Sequence, residues 1–170
     1  MRRVLHPTRS TPRAALRAGF TLIELCMATV MLGILAGTAA PRVAAQLARA
    51  RVAQAAAVTA ADLERAFSLA QRSRRSVAVT FNASARSYNV TTTDQATTFV
   101  SRTLASGDHA VDRLTPSVAT LQIGPNGLAS GLPAGGSLTV VVSSGGYSRR
   151  VTATRAGRVR ITAVAAAAGT

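Results

Sequence analysis

The sequence has little of what catalytic and disulfide-bonded proteins depend on. Its 170 residues include one cysteine, two histidines and no tryptophan. The single cysteine, Cys26, forms no internal disulfide. Beyond the N-terminal region the one histidine is His109, beside Asp108 and Asp112 in a predicted loop. Catalysis and metal binding need several converging groups, and a lone His with two Asp is typical of a surface cluster. We therefore expect no enzyme, no metal site and no cofactor.

Lysine is absent, and acidic residues are few. All 20 basic residues are arginines, the acids number six, and the net charge at pH 7 is +14. Such an excess favours anionic partners, namely nucleic acids or lipid head groups.

One long apolar segment stands near the N-terminus. Residues 20–40 read FTLIELCMATVMLGILAGTAA, with Glu24 as the one charge. At 1.5 Å of rise per residue a helix of this length spans roughly the 30 Å of a bilayer core. The residues before it carry arginines and no acid, which predicts a cytoplasmic N-terminus and places the chain after Pro41 across the membrane. These arginines are Arg2, Arg3, Arg9, Arg13 and Arg17.

A secretory signal peptide is the alternative interpretation of this segment. Its charged start and the small residues at 37–40 fit that outline. However, the apolar run exceeds the usual length of about 7 to 15 residues, Glu24 lies inside it, and Pro41 would follow the cut directly. A carboxylate in a lipid-bound helix is also costly and needs a cation as partner.

The stretch GFTLIEL, residues 19–25, resembles the type III signal of type IV pilins and type II secretion pseudopilins. This resemblance implies that prepilin peptidase cleaves between Gly19 and Phe20 and that the new Phe20 amine is methylated. It also implies that Glu24 meets the N-terminal amine of a neighbouring subunit during filament assembly. A buried carboxylate paired with an ammonium is tolerable where an isolated one is not. The competing interpretation is an accidental polar residue near the membrane interface.

Smaller features of the apolar segment are less specific. Gly33 and Gly37 have the GxxxG spacing that lets membrane helices approach closely, although glycine is common in such helices. Cys26 is best explained as a small apolar filler rather than a reactive thiol. Pro41 lacks an N–H and predicts a kink.

The helical pattern continues after Pro41 to about Ser73. Arg49, Arg51, Asp62, Arg65 and Arg72 fall mostly outside the apolar face, so the helix is expected to lie against a sheet. The small or apolar residues that recur at helical spacing are Ala48, Val52, Ala56, Leu63, Phe67 and Ala70.

Beyond Arg75 the sequence alternates in the manner of β-strands. Residues 76–81 and 87–93 predict a hairpin, and 94–117 predict a variable loop with one short strand near 98–104. Further strands are expected at 118–123, 137–142, 147–153 and 158–164, giving five to seven antiparallel strands in all. The predicted fold class is α+β, with the C-terminal half of a long membrane-spanning helix packed on an antiparallel sheet. The predicted parts are a cleaved cytoplasmic leader (1–19), a transmembrane helix (20–40), a periplasmic extension of the helix (41–73) and a β-rich domain (74–170).

This arrangement resembles the FimT/GspH family of minor pilins and pseudopilins. The resemblance is carried by LAQRSRRSVAVTF, the turn IGPNG and the closing SRRVTATRAGRVRI. It implies a subunit of a type II secretion or type IV pilus filament, anchored in the bacterial inner membrane with its domain in the periplasm. The implied partners are prepilin peptidase, other pilins or pseudopilins and the inner membrane.

Arginines crowd the C-terminal strands, where no acid follows Asp112. GRVR, residues 157–160, resembles the GRxR motif with which FimT-type pilins bind DNA. Arg158 and Arg160 are predicted to share one side of a strand about 6.8 Å apart, with Val159 and Ile161 toward the core. The candidate DNA-binding residues are Arg149, Arg150, Arg155, Arg158 and Arg160. The alternative is a solvated basic strand edge that resists aggregation or docks a partner.

Overall fold

The computed structural model describes residues 19–164, with the backbone alone at residues 38, 39 and 41. The predicted leader therefore lies outside the described residues, apart from Gly19. The chain divides into two compact units, residues 1–40 and residues 41–170.

One helix, α1, covers Leu22–Ser73. Its first turn is capped by Thr21, whose hydroxyl oxygen accepts a hydrogen bond from the Glu24 N–H at 3.3 Å, as an N-cap threonine does. The helix ends because Arg74 adopts a left-handed backbone conformation, with φ at 51°. Helix α1 continues through Pro41 without a break, and the kink at Pro41 stays a prediction.

The β-strands form two antiparallel sheets. One has five strands in the order β3-β2-β1-β5-β6, and the other has four in the order β4-β7-β8-β9. The strands are β1 (Val77–Asn82), β2 (Ser87–Thr92), β3 (Thr98–Thr103), β4 (Arg113–Pro116), β5 (Thr120–Ile123), β6 (Ala129–Ser130), β7 (Ser137–Ser144), β8 (Tyr147–Thr154) and β9 (Val159–Val164).

The predicted first hairpin is confirmed. β1 pairs with β2 from Val77 opposite Thr92 to Asn82 opposite Ser87. The turn between them is held by the Asn82 side chain, whose Oδ1 accepts a hydrogen bond from the Ala85 N–H at 2.9 Å. Asparagine stabilises turns in this way.

The α+β class, with a long helix packed on antiparallel strands, is confirmed, but the strand count of five to seven was wrong, since the described residues hold nine strands in two sheets. The two unexpected strands, β4 and β6, have four and two residues. β4 lies in the segment expected to be a loop, and it pairs with β7, which is distant in sequence. Strands this short carry too few residues to show alternation.

The core of the second unit is built on a small-residue face of α1. Ala55, Ala56, Ala66 and Ala70 are fully buried, and they belong to one apolar cluster with the inner residues of both sheets. Alanine lets backbones approach closely, because contact distance depends on the side chains between the elements.

Asp62 was expected outside this buried face, and that expectation was wrong. Asp62 is 6% exposed, and its carboxylate accepts a 2.7 Å hydrogen bond from the Tyr88 hydroxyl. Arg102 of β3 donates from Nε to the same Oδ2 at 3.1 Å and forms a salt bridge with it. A buried carboxylate is tolerated where it is paired and hydrogen-bonded, as here.

The pKa values of both partners respond to this contact. Burial raises the pKa of the Tyr88 phenol, and its hydrogen bond to Asp62 raises it further. The hydrogen bond to Asp62 raises the pKa of Arg102. Asp62 and Tyr88, which are buried, and Arg102, which is partly exposed, join α1 to the five-stranded sheet, and we call these three residues the buried triad.

Replacing the acid of the buried triad should destabilise the fold. We expect Asp62→Ala to lower the free energy of unfolding by about 2–3 kcal/mol, because it leaves the buried Tyr88 hydroxyl and the Arg102 charge without their partner. Tyr88→Phe should cost less, since Asp62 keeps Arg102. Thermal unfolding in detergent, followed by circular dichroism, measures both. Glu64→Ala, an exposed position on the same helix, is the control, and an equal loss for it would contradict the role of the triad.

Candidate functional site

The N-terminal motif lies at the start of α1. Phe20 is 83% exposed, and the apolar side chains that follow are exposed around the whole helix, including Ile23, Met31 and Ile34 at about 65% each. A helix that is apolar on all sides is typical of a membrane span. By length and composition, α1 is the one described helix that is able to cross a membrane.

Glu24 is exposed in the third position of α1. The described residues contain a single salt bridge, that of Asp62 with Arg102, so Glu24 has no cationic partner among them. The spacing Thr21-x-x-Glu24 is also that of a capping box, of which the structure shows the threonine half. The carboxylate is thus available to a group outside the described residues.

The C-terminal arginines lie on β8, on β9 and in the turn between them. Val151 and Ala153 of β8 are buried and mark the inner face of the four-stranded sheet. By alternation Arg149 belongs to that inner face, whereas Arg150 points outward and is exposed. The structure therefore places Arg149 and Arg150, two of the five predicted DNA-binding residues, on opposite faces of the sheet.

Arg158 and Arg160 share the outer face with Arg150. Arg160 lies opposite Thr152, and Arg150 lies opposite Thr162. Arg150 and Arg160 are thus diagonal neighbours, which in antiparallel pairs stand about 7–8 Å apart. Arg158 precedes β9, but its carbonyl still accepts a hydrogen bond from the Thr154 N–H at 3.0 Å, so the pairing extends to it.

We call Arg150, Arg158 and Arg160 the outer arginine stripe. Around it the outward residues of β7, β8 and β9 are mostly serines and threonines, and none of these strands contains an acid. Arg113 is an exposed residue of β4 at the opposite edge of the same sheet, paired with Ser143. Arg113 is not among the five candidate DNA-binding residues, and β4 itself was not predicted.

Ile161 was expected to face the core, and this was wrong. It is 40% exposed, whereas Val159 packs partly buried against the core as predicted. β9 is the edge strand of its sheet, flanked by β8 alone, so its inner face is covered only near Val159.

Arg155 lies apart from the stripe, in the β8–β9 turn. Its N–H donates to the Gly136 carbonyl at 3.2 Å, and its carbonyl accepts from the Ala129 N–H at 2.8 Å. Its side chain is exposed beside a small cleft that includes Leu132 and Pro133. The backbone of Arg155 therefore links the two sheets, whatever its guanidinium contacts.

Gly157, the first residue of GRVR, has a structural reason to be glycine. Its φ is +80°, a conformation that residues with a Cβ rarely adopt. A Cβ at this position would lie 2.8 Å from Cδ1 of Phe67 on α1. The glycine lets the β8–β9 turn approach the helix.

Neither tyrosine is free for stacking on bases. Tyr88 is buried in the triad. The ring of Tyr147 is covered by Arg49, whose guanidinium carbon lies 4.5 Å from the ring centroid. Contacts from the outer arginine stripe would therefore be to phosphates.

Metal-binding geometry is absent from the part of the chain that the structure describes. No group of three or more His, Cys, Asp or Glu residues lies together there. Asp112 accepts a 2.9 Å hydrogen bond from the Gly145 N–H, which holds the pKa of its carboxyl below the usual value. Nδ1 of His109 is buried without a hydrogen-bond partner.

Comparison of the structure with solved structures finds the type IV minor pilin FimU of Pseudomonas aeruginosa strain PAO1 in two crystal forms. The TM-scores are 0.55 and 0.52, at 18% and 16% sequence identity. The match covers 69% and 66% of this chain and 96% and 97% of FimU. The chain has the pilin-like fold. No protein-family model matches the sequence, and no curated protein matches it either.

The contact of the β8–β9 turn with Phe67 explains why residue 157 is glycine, and a pair of variants tests this explanation. Gly157→Ala and Gly146→Ala both place a Cβ at a φ near +80°, but at Gly146 the Cβ meets nothing within 4 Å. We expect Gly157→Ala to be more destabilising by about 1–3 kcal/mol, because the overlap with Phe67 is added to the shared strain. Thermal unfolding in detergent measures the difference, and equal losses would show that Phe67 accommodates the methyl group.

Proposed function

We propose that the protein is a minor pilin, a membrane-anchored subunit of a type IV pilus. The observation that carries the proposal is the likeness of its fold to nearly the full length of the FimU chain. The exposed apolar segment at the start of α1 adds a means of anchoring. A pseudopilin of a type II secretion system is the alternative, since its expected sequence features are the same. In either role the chain is a structural subunit rather than an enzyme.

Processing at the N-terminus is part of the proposal. Prepilin peptidase cleaves between Gly19 and Phe20, and the Phe20 amine is methylated. Both residues precede α1 and are exposed, which suits access by an enzyme. Residues 20–40 then hold the chain in the inner membrane, and residues 41–170 extend into the periplasm before incorporation into the filament.

Assembly depends on Glu24. Its carboxylate lies five positions into the processed chain, in a segment whose other side chains suit lipid. An unpaired charge there is unfavourable, and the Phe20 amine of a neighbouring subunit would neutralise it. Pairing of Glu24 with this amine therefore favours the subunit assembled in the filament over the single subunit in the membrane.

Removing the Glu24 charge should block assembly and leave insertion intact. We expect Glu24→Gln to reduce the protein in sheared filament fractions by more than tenfold, on the order of the loss of a buried ion pair. Immunoblotting of filament and inner-membrane fractions measures this, and mass spectrometry verifies that the chain begins at methylated Phe20. Glu64→Gln, the same change at an exposed position of the folded unit, should assemble normally. Normal assembly of Glu24→Gln would contradict the proposal.

DNA capture for natural transformation is a second candidate function. The outer arginine stripe favours it, because three guanidiniums share one face whose strands carry no acid. Guanidinium groups pair with phosphate oxygens and release counterions, which gives salt-sensitive binding without base recognition. Arg155 lies near enough in sequence to contribute from the turn. Arg149, on the inner face, is not part of this surface.

A measurement of DNA binding by arginine variants distinguishes DNA capture from the alternative of a solvated basic surface. We expect Arg158→Gln/Arg160→Gln to weaken duplex binding at least about tenfold and to reduce the slope of log affinity against log salt by about two. Fluorescence anisotropy of the detergent-solubilised full chain across a salt series measures both. Arg72→Gln/Arg75→Gln removes the same charge near the end of α1. If both pairs weaken binding alike, the arginines act only as a general basic surface.

A further inference from the structure

A small cleft lies between α1 and the β7–β8 hairpin, separate from the outer arginine stripe. It encloses about 190 Å³, and we call it the hairpin cleft. Its polar lining includes Arg49, Arg149, Tyr147 and Ser148, and its apolar lining includes Val52 and Val164. Pockets for drug-sized ligands measure roughly 300–1,000 Å³, so the hairpin cleft suits a smaller group.

Arg149 occupies an unusual position for a charged residue. It is on the inner face of β8, opposite Val142, which is fully buried. Its side chain is half-buried, and among residues 19–164 it has no carboxylate partner. A partly desolvated charge without a partner is unfavourable, so this arginine needs an anion or water in the cleft.

Arg49 brings a second guanidinium to the same cleft from α1. It is held over the face of the Tyr147 ring, a favourable contact for a cation. The cleft lining contains no acid. Two like charges beside one small space repel each other, and an anion between them would relieve that repulsion.

The neighbouring carboxylate of Asp112 serves other groups. It accepts the Gly145 N–H in the hairpin turn, and its charge interacts with Arg51 and Arg86. Neither Arg49 nor Arg149 forms a salt bridge with a carboxylate among the described residues.

We propose that the hairpin cleft binds the phosphate of an anionic phospholipid from the membrane that anchors the chain. The two guanidiniums would hold the phosphate oxygens, as arginine does in phosphate sites. Val52 and Ala163, which lies opposite Arg149, offer apolar surface to the glycerol part. The inference rests on the proposed membrane anchoring.

A lipid is favoured over free phosphate by local concentration. Eight residues of chain lie between Ala40, at the end of the apolar segment, and Arg49. A tether this short keeps a partner in the membrane at high effective concentration. A soluble phosphate has no such advantage.

The test compares neighbouring arginines on opposite faces of one strand. The full-length chain in detergent is mixed with equal amounts of phosphatidylglycerol and phosphatidylcholine, and the retained lipid is counted by native mass spectrometry. We expect the unmodified chain to retain phosphatidylglycerol and Arg149→Gln to retain about tenfold less. Arg49→Gln should lose lipid similarly. Arg150→Gln, with the same loss of charge on the outer face, should retain it.

Several outcomes would overturn the inference. Equal losses for Arg149→Gln and Arg150→Gln, or no preference for phosphatidylglycerol, would mean that no specific site exists. If glycerol 3-phosphate or inorganic phosphate binds and phosphatidylglycerol is not retained, the cleft is a site for a free phosphate. Circular dichroism must show the same fold for all variants. If Arg149→Gln is unfolded, Arg49→Gln against Arg150→Gln decides alone.

Flotation with vesicles distinguishes failure of this inference from failure of the proposed function. A chain that floats but shows no head-group preference retains its anchor and lacks the lipid site. If the chain does not float, the anchoring is wrong and the lipid proposal fails with it.

Discussion

The close packing of α1 against two sheets is the constraint on which the second unit depends. Alanines on the helix create the space, and both sheets contribute side chains to the same core. Close packing restricts which side chains fit between α1 and the sheets. It demands glycine at 157, where the turn meets Phe67, and it admits the charge of Asp62 only with Tyr88 and Arg102 in place. The strands then carry the arginines to fixed positions on the sheet.

Much of this fold could be predicted from local pattern, and the failures share one physical origin. The end of the helix near Ser73 and the first hairpin follow from spacing and turn residues within a few positions. Asp62 has the spacing of the buried face, since it lies between Thr59 and Ala66, but its charge argued against burial. Its partner Arg102 is forty residues away, and the strands that bring them together depend on tertiary pairing. β4 was missed for the same reason, because its partner β7 lies beyond two further strands.

The arginine surface was predicted in part. The shared side of Arg158 and Arg160 follows from the two-residue period of a strand, and the structure keeps them together. The same period requires the consecutive residues Arg149 and Arg150 to face opposite ways. The period alone does not show which face of the sheet α1 covers. It therefore does not show that Arg149 lies on the helix side while Arg150 belongs to the outer stripe. One basic cluster in the sequence thus becomes two surfaces with different neighbours.

Gly157 has a bearing on how short motifs are used to recognise nucleic-acid-binding proteins. Its glycine is required by the proximity of Phe67 and by the left-handed turn, so selection for folding alone would retain one residue of GRVR in chains that never meet DNA. Arginines that protect an edge strand from aggregation would account for the two arginines of the motif. Counting such four-residue matches across genomes would therefore overestimate DNA receptors, and the informative signal is the set of outward arginines on the strands beside the motif.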